Sequence, residues 1–229
     1  MFRLPPLTPF VRKLLITLSA IFVVVAIVNR FVYPVLGLLE LEPRVLSVAT
    51  LWQIFSYVLV VPPNALFPLL LSLLFIWWIL PPFEERYGAT RVFQLSLLGT
   101  LGSALLAIVA GQLFPDWSAP VSGPGPITLA AISAYAVLLP PHSEISFFGV
   151  LPMRAKQLLW VIVGFSLLGF ITSWSISHLA SDVGAIAAGV LFVKSWMQRP
   201  PRRRTFQRKP PSKLRVVGSD DKPRGGWMN

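Results

Sequence analysis

The chain has 229 residues, 55% hydrophobic and 13% charged, about half the charge of an ordinary soluble domain, and a mean hydropathy of +0.69 that excludes both a soluble globule and a disordered chain. Its net charge of +11 would suit a nucleic-acid binder, but nine of the twenty Lys and Arg lie between Pro200 and Asn229, so the charge is a tail and not a face. Cysteine is absent and the only histidines are His142 and His178, which excludes disulfides, thiolate sites and a cysteine nucleophile and leaves zinc almost no ligands, so neither a metal nor a cofactor is expected.

A helix needs about 20 apolar residues to cross the hydrocarbon core. The first such run, Leu14 to Tyr33, follows Arg12 and Lys13, with Arg30 placed to snorkel at its far end. No small-residue cleavage site follows it, so it reads as an uncleaved span rather than a signal peptide. Between Arg44 and Glu84 no charge occurs; prolines at 62, 63 and 68 divide this stretch into a loop element at or near the membrane, Leu51 to Val61, and a second span, Leu66 to Pro82. The third span is Val92 to Phe114, closed by Pro115 and Asp116. The fourth follows the cluster PVSGPGP and runs from Ile127 to Leu139, short unless that cluster itself lies at membrane depth. The fifth is Gln157 to Ile171, and the sixth, Ser177 to Trp196, contains Asp182.

The positive-inside rule orients these spans. With the amino terminus in the cytoplasm, eighteen basic residues fall on the cytoplasmic side and two, Arg30 and Arg44, on the other; without the residues from Lys194 onward the ratio is seven to two. Both termini are therefore expected in the cytoplasm, with a bacterial cytoplasmic membrane favoured over a eukaryotic secretory one. The tail is proline-rich and charged, which predicts disorder and anchoring beside anionic lipid. It lacks the interleaved aromatics that stacking on bases requires, so no nucleic-acid partner is expected.

An ionisable group inside a span is a candidate for function, and Asp182 is the acid that lies well inside one. It could equally be satisfied near the outer helix end by water, serine or backbone. His178, one turn earlier on nearly the same face, could share a proton with it or could simply be solvated. Ser122 offers a hydroxyl at the outer mouth of the fourth helix, where glycines permit close backbone approach. Gly184, Ala185, Ala187, Ala188 and Gly189 make a small-residue stripe suited to helix packing. Glu84 and Glu85 at the end of the second span suit a structural lock onto backbone groups of the following loop.

From about residue 45 to 195 the order of features resembles the rhomboid family of intramembrane serine proteases. The matching stretches are LWQIFSY, PPFEERYGATRVFQL, AYAVLLP, ISFFGVLPMRAKQL and DVGAIAAG, of which ERYG and VLPMRAK are the most specific. The resemblance implies an all-α, polytopic membrane protein, a rhomboid-like bundle of six transmembrane helices over residues 14–196, between a cytoplasmic segment 1–13 and a disordered cytoplasmic tail 197–229. It also implies a serine nucleophile opening the fourth span, a histidine base in the sixth, and a His and Asn in the second that help bind the oxyanion.

Carried over residue by residue, those positions are altered. Counting back from Glu84 puts the second-span His at Pro68 and the Asn at Ser72. Anchoring on Gly189 puts the base at Asp182. The nucleophile admits two registers: matching SG directly gives Ser122, whereas matching on Ala130 and the proline of AYAVLLP gives Gly125 and is favoured because it needs no insertion in the helix.

Rhomboid-like pseudoproteases, such as derlins and inactive rhomboids, keep the fold and bind transmembrane segments. The reading that follows is a catalytically inactive rhomboid-like protein whose partners are membrane lipids and the transmembrane segments of client proteins. The enzyme alternative is an atypical rhomboid protease using Ser122 with Asp182 or His178, which requires Ser122 within hydrogen-bond reach of one of them. A transporter or channel has less support, since no repeated halves or further intramembrane polar groups stand out.

Overall fold

In hydrocarbon a chain must satisfy its backbone groups within itself, and the apolar runs accordingly form helices. The computed structural model describes residues 7–31, 33–45, 47, 50–138, 144–147 and 151–197; the tail and His142 lie outside them. Six long helices are present among the described residues: α1 (Pro9–Phe31), α2 (Leu66–Tyr87), α3 (Ala89–Leu113), α4 (Gly125–Leu138), α5 (Ala155–Ser173) and α6 (Ile176–Phe192), the last continued by a π turn over Val193–Met197. Pro9–Phe31, Leu66–Tyr87, Ala89–Leu113 and Ile176–Ser195 are each long and apolar enough to span a bilayer. At 14 residues α4 reaches only about 21 Å, too short to span unaided.

The short helix is the centre of the bundle. Pro126, Ile127, Thr128 and Ala130 through Ala134 of α4 are buried, and α2, α3, α5 and α6 all pack against it. The most extensive packing joins α3 to α6. A methyl group on Gly184 would overlap the backbone of Gly102 and Ser103, and the Ser103 and Ser181 hydroxyls bond each other at 2.5 Å. Small residues bring the backbones together, and a serine pair satisfies itself where no water can reach. α1 is different: it buries Val11, Leu18 and Val25, one line of residues two turns apart, and leaves Ile16, Val23, Val24 and Ile27 exposed to the surroundings.

Boundaries differ from the sequence expectation in places that have physical causes. α1 begins at Pro9 rather than Leu14 because its first amides find an acceptor: the Glu84 carboxylate takes hydrogen bonds from the Phe10 and Val11 amides, both at 3.1 Å, and from the Thr8 hydroxyl. This is the lock expected of Glu84, although it closes on α1 and not on the loop after α2. α2 does not stop at Pro82; it runs through Pro81 and Pro82 to Gly88, whose φ of +84° ends it. The stretch expected as a loop element, Leu51 to Val61, holds a helical turn at Gln53–Ser56 followed by a 3-10 turn at Tyr57–Leu59.

The connection from α1 to α2 satisfies its own polar groups. Trp52 Nε1 donates to the Leu38 carbonyl and Ser56 Oγ to the Leu39 carbonyl, both at 2.8 Å. Tyr57, fully buried, donates its hydroxyl to the Thr100 carbonyl of α3 at 2.8 Å; burial pushes the pKa of this phenol up, which keeps it a donor. An antiparallel hairpin, β1 (Glu144–Phe147) and β2 (Leu151–Arg154), precedes α5, with Glu144 opposite Arg154 and Phe147 opposite Leu151. The sequence reading left this segment as an inter-helix loop, so the hairpin is an addition to the all-α bundle.

Candidate functional site

Ser122, His178, Asp182 and Gly125 gather around the first turns of α4 and α6, where the segment before α4 is pinned from three sides. Val121 exchanges backbone hydrogen bonds with Leu41 at 3.0 and 2.9 Å. The Gly123 amide donates to the Tyr57 carbonyl at 2.9 Å, and its φ of +105° demands glycine. Ala119 is clasped by the two serines that open α6: its amide donates to Ser175 Oγ and Ser177 Oγ at 3.2 and 3.1 Å, and its carbonyl accepts from Ser177 Oγ at 2.7 Å. Arg44 donates its guanidinium to the Ser118 carbonyl. This loop is therefore a fixed shelf.

Ser122 on that shelf and His178 and Asp182 on α6 each have a separate neighbour. Ser122 Oγ donates to Glu40 Oε1 at 3.2 Å, a carboxylate supplied by the connection after α1. His178 faces the Pro120 carbonyl. Asp182 faces the Ser166 hydroxyl of α5. No hydrogen bond joins Ser122 to His178 or Asp182, so the contact required by a Ser122 nucleophile is not formed.

Gly125, the nucleophile position of the favoured register, opens α4. α4 and α6 run in the same direction, since Ala119 meets Ser177 near their first turns and Ala130 meets Gly189 further along. Five residues separate Gly125 from Ala130 and seven separate Asp182 from Gly189, which at about 1.5 Å per residue places Gly125 and Asp182 within roughly one turn of each other in depth. Gly125 is also six residues past Ala119, so α4 starts beyond the first turn of α6. A methyl group built on Gly125 meets no heavy atom within 4 Å. The position has room for a side chain and carries none.

Pro68 and Ser72, the second-span positions of the family register, lie on α2. Pro68 is exposed in the first turn of α2 and Ser72 is half-buried; neither supplies an imidazole or an amide. Among the described residues no three His, Cys, Asp or Glu side chains come together as a metal site. Acyl transfer needs a nucleophile, a base within hydrogen-bond reach and donors aimed at the oxyanion, and the arrangement sets a glycine at the head of α4 near the depth of a carboxylate, Asp182, with His178 facing the Pro120 carbonyl. Glu40 and Ser166 escaped sequence reading because their contacts are made across 82 residues and between separate helices.

The profile of the Rhomboid domain matches residues 48–198, about two thirds of the chain and the whole of this constellation apart from Glu40, Leu41 and Arg44. No curated protein matches the chain.

Proposed function

The chain belongs to the rhomboid family, and from that premise we propose that it is a non-catalytic rhomboid that binds transmembrane segments of other membrane proteins. The observation that carries this reading is Gly125: open space at the head of the central helix, level with Asp182, and no side chain to attack a carbonyl. The Ser122 to Glu40 bond supports it, because it engages the Ser122 hydroxyl with a carboxylate other than Asp182.

A binding role needs a route for a partner helix. α2 and α5 both pack on α4 and present large apolar side chains outward, Phe67 and Leu70 from α2 and Trp160 and Leu167 from α5. A client segment arriving between them would rest on α4 at the level of the shelf, held by packing and by hydrogen bonds to its own polar groups. The excess of basic residues supports a cytoplasmic location for both termini, with the bacterial cytoplasmic membrane the setting favoured.

Photo-crosslinking tests the binding role. A photoreactive residue at Phe67 or Trp160 is expected to trap the same membrane-protein segments, whereas one at Val23 on the outer face of α1 traps lipid alone. Equal trapping at all three positions would overturn a dedicated client route. His178 lies beside Pro120, two residues from Ser122, which favours one competing reading, a protease built on Ser122 with His178 or Asp182; a serine-directed probe that labels the chain through Ser122 would establish it.

A further inference from the structure

The outer face of the α3 and α6 pair carries a groove that neither the catalytic positions nor the client route uses. Leu98, Gly102 and Leu105 of α3 and Ala188, Leu191 and Phe192 of α6 line it, Ser195 stands at one end, and its volume is about 410 Å³. Leu105 and Leu191, each 63% exposed, form its rims. The floor is set by small residues: a methyl group on Gly102 would already crowd Ala188 at 2.8 Å. The Ser195 hydroxyl is bonded to the Leu191 carbonyl at 2.7 Å, which leaves the groove apolar along its length.

Charge stands at one end. α3 and α6 are antiparallel, since Ser103 meets Ser181 and Gly102 meets Gly184 and Ala188. Moving from Gly102 back toward Arg91 therefore follows α6 forward toward Lys194. Arg91 lies two turns before Leu98 on the same face of α3, and its Nη1 donates to Gln94 at 3.2 Å. Lys194, exposed, lies three residues after Leu191 and beside Ser195. By this register the two cations fall within about one turn of each other in depth, at the Ser195 end of the groove.

We propose that this groove is a binding site for one anionic phospholipid, an acyl chain lying between Leu105 and Leu191 and the headgroup phosphate held by Arg91 and Lys194. A helix is about 10 Å across and would need several times the space, so the volume suits an alkyl chain. Two cations of the same sign at a membrane surface select an anionic headgroup over a zwitterionic one. A site of this kind would seat the bundle in the leaflet at its rigid face and leave the α2 and α5 side free.

Native mass spectrometry of the full chain in detergent, titrated with phosphatidylglycerol or phosphatidylcholine of identical acyl chains, tests this. One phosphatidylglycerol is expected to be retained in preference to phosphatidylcholine. Lys194→Gln should weaken that lipid about fivefold, and Lys194→Gln with Arg91→Gln about thirtyfold, while Lys194→Arg restores it. Leu191→Trp, on an exposed rim, should exclude both lipids without disturbing the core. The basic tail is present in every variant, so an affinity for phosphatidylglycerol that does not change among them would assign the effect to the tail and overturn the proposal. Equal retention of the two lipids, or a groove occupied by a second copy of the chain in place of lipid, would overturn it as well.

Discussion

α6 shows two faces of opposite character. Toward α3 it presents Gly184 and Ser181, with backbones in contact and a hydroxyl pair between them; toward α5 it presents Asp182 facing Ser166 along a shorter contact. The first face is fixed by sterics, because no side chain fits without moving a backbone. Among the described residues the second carries one polar pair, Asp182 with Ser166, whose members could each find another partner. The bundle thus joins a rigid wall, α3 with α6 and α4, to a helix with less contact to it, an arrangement that fits the proposed sideways entry of a partner helix.

The largest expected effect breaks the rigid wall. Gly184→Val places branched carbon against the Gly102 backbone and should cost about 3 kcal/mol, read as a lower unfolding midpoint in detergent; an unchanged midpoint would mean that the two faces do not differ. Glu84→Ala comes next. It leaves the Thr8 hydroxyl and the Phe10 and Val11 amides without their acceptor and should cost about 2 kcal/mol, with faster proteolysis near residue 9, whereas the α3 and α6 contact stays intact. Ser181→Ala should cost about 0.6 kcal/mol, the average for a hydrogen bond between transmembrane helices. Its counterpart Ser166→Ala should change the midpoint less than Ser181→Ala and instead increase crosslinking of clients at Trp160. The smallest effect belongs to Gly125→Ser, which should stay within about 0.5 kcal/mol because the added atoms enter open space.

The spans were legible because apolar runs and their breaks record what a bilayer demands. Ends were less so. Pro82 reads as a stop, yet a membrane helix tolerates proline where neighbouring groups satisfy the freed carbonyls, and the residue that ends α2 is Gly88. The hairpin at Glu144–Arg154 is eleven residues long between apolar helices, and its pairing is set by cross-strand partners that local composition does not single out. At the site, Gly125 and Asp182 are assigned by register with the family, while Glu40 as the partner of Ser122, Ser166 as the neighbour of Asp182, and the clasp of Ser175 and Ser177 on Ala119 arise only when distant segments meet. Glu84 was legible as a lock by type, though its acceptor role toward α1 was not.

The central claim is that the nucleophile position is vacant. Labelling of the purified, folded chain with a fluorophosphonate serine probe, beside an active rhomboid, tests it most directly. The account predicts no labelling of the native chain or of Ser122→Ala, and labelling only after Gly125→Ser is combined with Asp182→His, which restores a hydroxyl and an imidazole at the two positions level with each other. Labelling of the native chain that disappears in Ser122→Ala would contradict it and make Ser122 the nucleophile of an active protease.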